Sequence, residues 1–287
     1  METTEGRIKV LGYRLFYRTF GEPDKGTLLA LHGGPGNSHG YLLPLADLAQ
    51  FGYRIVLYDQ IGCGGSDRPR GAKYYTQSRA VEEVEGVRRA LNLGRVHLFG
   101  SSYGGALSLD VALRHPRSLR SLVLASGLAN FALWESEQAR LFSRLPRATR
   151  TAITKAAARG GWQNPKYVTA IDPWFRKHYC RLRVWPYDLR REYDMLAQHH
   201  LNVPHDGIED RLKGWDITDH LPDIRLPCLI TTGKYDVVTR KCIQPIHHGI
   251  RGSRLVVFKD GSHTPMWESR ARFMEIVRSF LDGVKAG

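Results

Sequence analysis

The chain has 287 residues, of which 42% are hydrophobic, and its formal net charge is +14 at neutral pH. No apolar run approaches the roughly 20 residues that a membrane-spanning helix needs, so the sequence predicts a soluble protein that does not act in a membrane. Residues 1–5, METTE, lack the basic and apolar regions of a secretory signal, which predicts a cytoplasmic protein. The four cysteines show no metal-ligand spacing and are expected to be free thiols.

The first hundred residues predict strands followed by a helix. Segments 7–10 and 13–19 suit an opening hairpin, and the apolar runs 27–31 and 53–58 suit buried strands. Between Ser78 and Leu91 the apolar residues recur at intervals of three and four, which predicts an amphipathic helix. Alternation of strands and helices is typical of a parallel sheet covered by helices.

A glycine-rich turn follows the next predicted strand. The apolar run Val96–Phe99 leads into GSSYGG at 100–105, and an apolar helical segment follows. The pattern G-x-S-x-G between a strand and a helix forces a sharp turn, and its central serine projects from the apex. Ser102 is therefore the candidate nucleophile, with Gly100 and Gly104 where a β-carbon would crowd the turn.

A serine nucleophile needs a base, a group that orients the base, and donors for the oxyanion. Farther along the chain, Asp236 follows the predicted strand 228–232, and His263 ends the loop after the predicted strand 254–258. Asp236 is the predicted orienting acid and His263 the predicted base. The order Ser, Asp, His is that of α/β hydrolases.

Backbone N–H groups are the expected oxyanion donors. One comes from the residue after the nucleophile and the other from an early loop. We assign them to Tyr103 and to Gly34, which lies in the turn HGGPG at 32–36 directly after the strand 27–31. His32 is expected to shape that turn rather than act as a base.

After the predicted strand 122–125 the strand pattern stops until residue 226. The intervening residues predict helices broken by prolines, which indicates a helical cap at 128–215 inserted between two parts of a hydrolase core, 1–127 and 216–287. Aromatic residues of the insertion suit either a pocket for a proline-sized ring or simple packing on the core. They are Trp162, Trp174, Tyr179, Trp185 and Tyr187.

The insertion is also strongly basic. Between Arg140 and Arg191 it holds thirteen lysines and arginines against two acids, so this segment contributes +11 of the net charge. Either these residues form a solvated helical face or they attract an anionic substrate or partner. No helix-turn-helix, zinc or RNA-binding signature accompanies the charge, so nucleic acid is not an expected partner.

Four segments together resemble the proline iminopeptidase family of serine hydrolases, and the whole chain is most similar to the archaeal tricorn-interacting aminopeptidases. The segments are His32–Gly36, Asp59–Ser66, Gly100–Gly105 and Gly261–His263. The resemblance implies an α/β-hydrolase fold, a mostly parallel sheet with helices on both faces and an inserted cap. It also implies release of an N-terminal residue, often proline, from short peptides or arylamides, without a metal or organic cofactor.

The chain departs from the family where the substrate's amino group binds. In the archaeal relatives two glutamates hold that amine, one directly after the triad aspartate and one in the cap. Here Val237 occupies the first position, which removes one carboxylate. Asp206 is the expected counterpart of the second, and Glu209 and Asp210 are rivals for it. Val237, Asp206 and Glu209 are accordingly the candidate substrate-binding residues.

Two other functions are compatible with these residues. One is an esterase, amidase or thioesterase that acts on a neutral or acidic acyl group. The other is a ligand receptor on a hydrolase fold with little turnover. Dehalogenase and epoxide hydrolase chemistry is disfavoured, because both reactions need a carboxylate where this chain has Ser102. The sequence leaves the oligomeric state open.

Overall fold

The centre of the fold is an eight-stranded sheet. The computed structural model describes residues 2–161, 164–202 and 208–285. The strands are Thr3–Val10 (β1), Tyr13–Phe20 (β2), Gly26–Leu31 (β3), Tyr53–Tyr58 (β4), Val96–Ser101 (β5), Leu119–Ala125 (β6), Cys228–Gly233 (β7) and Arg254–Phe258 (β8). Their spatial order is β1-β2-β4-β3-β5-β6-β7-β8. β1, β2 and β4 pair antiparallel, and every pair from β4 to β8 is parallel.

Helices cover both faces of the sheet. Those in the described residues are Gln77–Ala90 (α1), Tyr103–Arg114 (α2), Phe131–Ser143 (α3), Arg147–Ala157 (α4), Pro165–His178 (α5), Tyr187–Asn202 (α6), Ile208–Leu212 (α7), Arg240–Gly249 (α8), Pro265–Glu268 (α9) and Arg270–Asp282 (α10). Short 3₁₀ helices span His39–Phe51, Ala72–Tyr74, Pro116–Ser118 and Thr218–Asp223.

The central strands are apolar on both sides because both faces are covered. Successive residues of a strand point to opposite faces. In β3, Leu29 and Leu31 pack in one core with α1 and α2, whereas Leu28 and Ala30 pack in the other with α10. A continuous apolar run is what a strand buried on both faces requires. The predicted α/β-hydrolase architecture is therefore confirmed.

The predicted elements are found with small shifts at their ends. The helix predicted at 78–91 spans Gln77–Ala90 and begins where the Thr76 side chain accepts a hydrogen bond from the Arg79 N–H, at 3.3 Å. The strand predicted at 122–125 begins earlier, at Leu119. The 3₁₀ helix His39–Phe51 had no predicted counterpart. The four cysteines are free, and all four are buried, which the sequence did not predict for the set.

The predicted insertion leaves and rejoins the sheet at one place. Helices α3 to α7 lie in sequence between β6 and β7. At the two ends of this segment Asn130 and Asp216 form an isolated antiparallel bridge. Beside it, Phe131 N–H donates to the Trp215 carbonyl oxygen and Ile217 N–H to the Ala129 carbonyl oxygen, each at 3.0 Å. We call these paired residues, 129–131 and 215–217, the stem. The boundaries 127/128 and 215/216 stay predictions.

Across the described residues, none of the helices combines the length and the apolar character that crossing a membrane would demand.

Candidate active site

Ser102 sits in a strained turn between β5 and α2. Its φ is +57° and its ψ is −122°, a region that L residues rarely adopt. A β-carbon on Gly100 would overlap the Gly104 carbonyl oxygen, and one on Gly104 would overlap the Leu31 carbonyl oxygen. Ser102 N–H donates to the Ala125 carbonyl oxygen at 2.8 Å, which ties the turn to the end of β6. The local sequence thus holds the serine at the carboxyl edge of the parallel strands.

Asp236 and His263 meet at the same edge of the sheet. Asp236 follows β7, and His263 follows the neighbouring strand β8. Their side chains are buried, and the distance between His263 Nδ1 and Asp236 Oδ1 is 2.7 Å. Nδ1 carries the proton of this bond, because an ionised carboxylate only accepts. The Nε2 atom of His263 is then left as a base.

Donors that the sequence did not reveal fix the Asp236 carboxylate. The Val238 N–H donates to Oδ1 at 2.8 Å. The hydroxyls of Ser126 and Thr232 donate to Oδ2, at 2.5 and 3.0 Å. Ser126 directly follows β6, and a search for hydroxyl residues at strand ends would have found it. Together these donors hold the buried carboxylate in one orientation.

The early glycine turn packs directly against Ser102, the candidate nucleophile. A β-carbon on Gly33 would lie 2.8 Å from the Ser102 β-carbon. The Gly33 N–H donates to the buried Tyr41 hydroxyl at 2.5 Å. Burial raises the pKa of the Tyr41 hydroxyl well above its usual value, so the tyrosine stays neutral. Gly34 follows with φ +108°. Tyr103 directly follows Ser102 and is the first residue of α2.

His32 supports this turn as a neutral side chain. The Gln60 N–H donates to its Nε2 at 3.0 Å, so Nε2 has no proton. Its Nδ1–H therefore donates to the Gly33 carbonyl oxygen, at 2.8 Å. Burial lowers the pKa of His32 to about 4. Because both ring nitrogens of His32 are engaged, this side chain supports the turn and is not available as a base.

Two aromatic residues of the insertion lie close to His263. The ring centroids of Tyr179 and His263 are 5.5 Å apart, and Trp185 packs on Tyr179 at 5.8 Å. Of the other aromatics named from the sequence, Trp174 packs on Phe175, Tyr187 is 77% exposed, and Trp162 lies outside the described residues.

Glu192 on α6 is a buried acid with no motif in the sequence that would predict its role. Its carboxylate accepts the Ser38 N–H at 2.5 Å and the Ser38 hydroxyl at 2.6 Å. Burial raises the pKa of Glu192, and the two Ser38 hydrogen bonds oppose that rise. The helix is thereby attached to Ser38, two residues after the glycine turn.

The candidate amine-binding residues are only partly described. Val237 is half-buried between the core and the insertion, and its carbonyl oxygen accepts the Gln138 side-chain N–H at 2.7 Å. Asp206 lies outside the described residues, and for Glu209 only the backbone, in α7, is described. Asp210 is exposed on that helix.

Comparison with known proteins agrees with this architecture. The sequence model of the alpha/beta hydrolase fold matches residues 26–269. A proline iminopeptidase of Saccharolobus solfataricus is 37% identical over 287 aligned residues, which cover 98% of this chain and 93% of that protein. The archaeal source of this relative agrees with the branch that the sequence motifs resemble.

Two solved structures are similar over nearly the whole chain. One is the crystal structure of VinJ, with a TM-score of 0.90 and 30% identity over 98% of this chain and 99% of that one. The other is a proline iminopeptidase of Mycobacterium smegmatis, with a TM-score of 0.85 and 30% identity over 97% and 98% of the two chains. By sequence and by structure, the chain belongs to the proline iminopeptidase family of α/β hydrolases.

Proposed function

We propose that the chain is a serine hydrolase that releases an N-terminal residue, with proline favoured, from short peptides or aminoacyl amides. Ser102, His263 and Asp236 are its catalytic triad. The observation that carries this proposal is the 2.7 Å hydrogen bond between Asp236 and His263 at the sheet edge where the strained Ser102 also lies. The relatives named proline iminopeptidase support the substrate class.

The reaction proceeds through an acyl-enzyme. The Ser102 hydroxyl gives its proton to His263 Nε2 as Oγ bonds to the substrate carbonyl carbon. When the C–N bond breaks, His263 returns that proton to the leaving amine. Water then repeats the cycle and frees Ser102. Asp236 holds the His263 tautomer that accepts the proton and stabilises the imidazolium that forms.

Two backbone groups stabilise the oxyanion. The Tyr103 N–H is at the start of α2, where the helix dipole also favours negative charge. In the glycine turn the N–H of Gly33 is already engaged by Tyr41. That engagement favours Gly34 as the second donor, because its N–H is the next one along the turn.

The insertion 128–215 supplies the rest of the substrate site. Tyr179 and Trp185 form an aromatic wall near His263 that suits a pyrrolidine ring. With Val237 next to the triad acid, the substrate amine depends on an acid of the insertion, and Asp206 and Glu209 are the candidates.

Replacement of the nucleophile tests the triad. The Ser102→Ala variant is expected to lose turnover by roughly 10⁴- to 10⁶-fold, because no other group can form the acyl-enzyme. The neighbouring buried Ser101 provides the matched control, and Ser101→Ala is expected to keep most activity. A fluorophosphonate is expected to label Ser102 alone, as read by peptide mass spectrometry. Labelling at Ser101, or full activity of Ser102→Ala, contradicts the mechanism.

A substrate panel tests the specificity. Proline, alanine and leucine arylamides are compared with their N-acetylated forms and with nitrophenyl esters. We expect the highest kcat/KM among the amides for the proline arylamide. Turnover of esters with none of any arylamide would contradict the peptidase proposal, and slow labelling with negligible turnover of every substrate would indicate a receptor.

A further inference from the structure

A basic pocket of about 390 Å³ lies behind the acid of the triad. Its walls are α3, the C-terminal end of α5, and the segment that leads from β7 into α8. Six lysines and arginines line it, and Glu137 and Asp236 are its acids. The basic residues are Arg140, Arg144, Lys177, Lys234, Arg240 and Lys241. The volume is within the range of small-molecule sites.

Both acids of the pocket already have partners. Asp236 is held by His263 and by the donors around its carboxylate. Glu137 is 3% exposed and accepts hydrogen bonds from Arg140, at 2.5 and 2.8 Å, and from the Thr239 hydroxyl, at 2.7 Å. Lys241 Nζ lies 3.2 Å from the same carboxylate. Glu137 therefore orients two of the cations toward the pocket.

The other four cations are exposed and form no ion pair with any acid in the described ranges. They come from three separate elements, so their convergence is a property of the fold. The Tyr235 carbonyl oxygen accepts the His178 Nδ1–H at 2.7 Å, and burial lowers the pKa of His178, so this histidine adds no charge at neutral pH. The pocket keeps a net positive charge of several units.

The first turn of α8 adds to the positive potential. Thr239 is the N-cap of this ten-residue helix, but its hydroxyl donates to Glu137 instead of accepting from the first turn. The Thr239 side chain therefore does not cap the N–H groups of the first turn, which includes the pocket residues Arg240 and Lys241. Helix N-termini favour anions, and guanidinium groups match phosphate oxygens in bidentate pairs.

We propose that this pocket binds a compact polyanion that carries two or more phosphate groups. The pocket shares Asp236 with the proposed triad, but the cations that would bind the anion take no part in the hydrolysis. The site accounts for part of the basic charge concentrated in the insertion.

Calorimetry with tripolyphosphate tests the proposal at constant ionic strength. The wild type is expected to bind one equivalent saturably. The double variant Arg144→Gln/Arg240→Gln removes two cations from separate walls and is expected to weaken binding at least about tenfold. The control Arg147→Gln/Arg251→Gln removes the same charge from exposed positions outside the pocket and is expected to change affinity less than about twofold.

Three results would contradict the proposal that this pocket binds a polyanion. They are the absence of saturable binding to the wild type, an equal loss in both double variants, and citrate binding as tight as tripolyphosphate. An equal loss in both double variants would mean that the net positive charge of the whole protein attracts the anion. Tight citrate binding would mean that the pocket does not distinguish phosphate from carboxylate groups. Circular dichroism and melting temperatures of both variants establish that they are folded, so weakened binding is assigned to the lost side chains.

Discussion

The Asp236 carboxylate accepts more hydrogen bonds than the one from His263. Four donors, from His263, Val238, Ser126 and Thr232, converge on its two oxygens. The Asp236→Asn variant is expected to fold but to lose about 10⁴-fold in kcat, because the amide favours the wrong histidine tautomer. Thr232→Val is the control: it removes one donor, leaves the tautomer intact and is expected to cost less than about tenfold. Steady-state kinetics on one ester checks both, and equal activity of Asp236→Asn would place the orienting acid elsewhere.

Val237 and the basic insertion both act against a cationic substrate end. We expect the wild type to discriminate weakly between free and N-acylated amines. Val237→Glu is expected to improve kcat/KM for the free-amine proline arylamide relative to its N-acetyl form by about tenfold or more, which is about 1.4 kcal/mol. Val237→Gln separates charge from size, and Asp206→Asn is expected to act in the opposite direction to Val237→Glu. A wild type that already rejects N-acetyl substrates, with a ratio that Val237→Glu leaves unchanged, would contradict this prediction.

At the residue scale, the sequence predicted the groups that lie next to glycine turns and strand ends. Ser102, Asp236 and His263 could be named because each follows a strand with a clear pattern. Glu192 and Tyr41 could not be named, because their partners, Ser38 and Gly33, are fixed only by tertiary packing.

At the scale of elements, one buried carboxylate joins α6 to Ser38, two residues after the glycine turn. Glu192→Ala would leave the Ser38 N–H buried without its acceptor, at a cost of about 1–3 kcal/mol. Because the turn also carries Gly34, we expect kcat to fall at least about tenfold with a smaller change in KM. Glu192→Gln keeps one acceptor oxygen and is expected to retain more activity. Kinetics and urea unfolding together check this, since lost stability with unchanged kcat would mean that the contact does not position the turn.

The elements that were predicted are those with a regular apolar period. The central strands are buried on both faces and read as continuous apolar runs, and α1 shows helical spacing. The 3₁₀ helix His39–Phe51 has no such period, contains Pro44 and buries residues on several sides.

The basic residues of the insertion could be recognised in the sequence as an excess of positive charge. Their convergence with Lys234 and Arg240, far along the chain, required the fold.

At the scale of the whole molecule, two buried neutral histidines make the free energy of unfolding depend on pH. Burial lowers the pKa of His32 and of His97 to about 4. As pH falls below about 6.5, the unfolded chain takes up protons that the folded chain does not, so stability falls until pH approaches 4. Each histidine contributes a slope of about 1.4 kcal/mol per pH unit in this window.

His97 lies away from the active site, with its Nδ1 2.7 Å from the Ser121 hydroxyl, so it isolates this effect. The His97→Gln variant is expected to lose about 1.4 kcal/mol per pH unit of slope between pH 6 and 4.5. Urea unfolding at fixed ionic strength measures the slope. Parallel curves for wild type and variant would show that His97 does not titrate differently in the two states.

The stem has a consequence for how this molecule can be altered. Because Asn130 and Asp216 bring both ends of the insertion together, we expect that the segment between them can change in length or sequence without moving β6 or β7. We therefore expect that a chain with a relative's insertion grafted at the stem keeps the host's proposed Ser102–His263–Asp236 chemistry and takes on the donor's choice of substrate. Changes in the insertion would then alter substrate specificity, and changes in the core would alter the catalytic chemistry, each independently of the other.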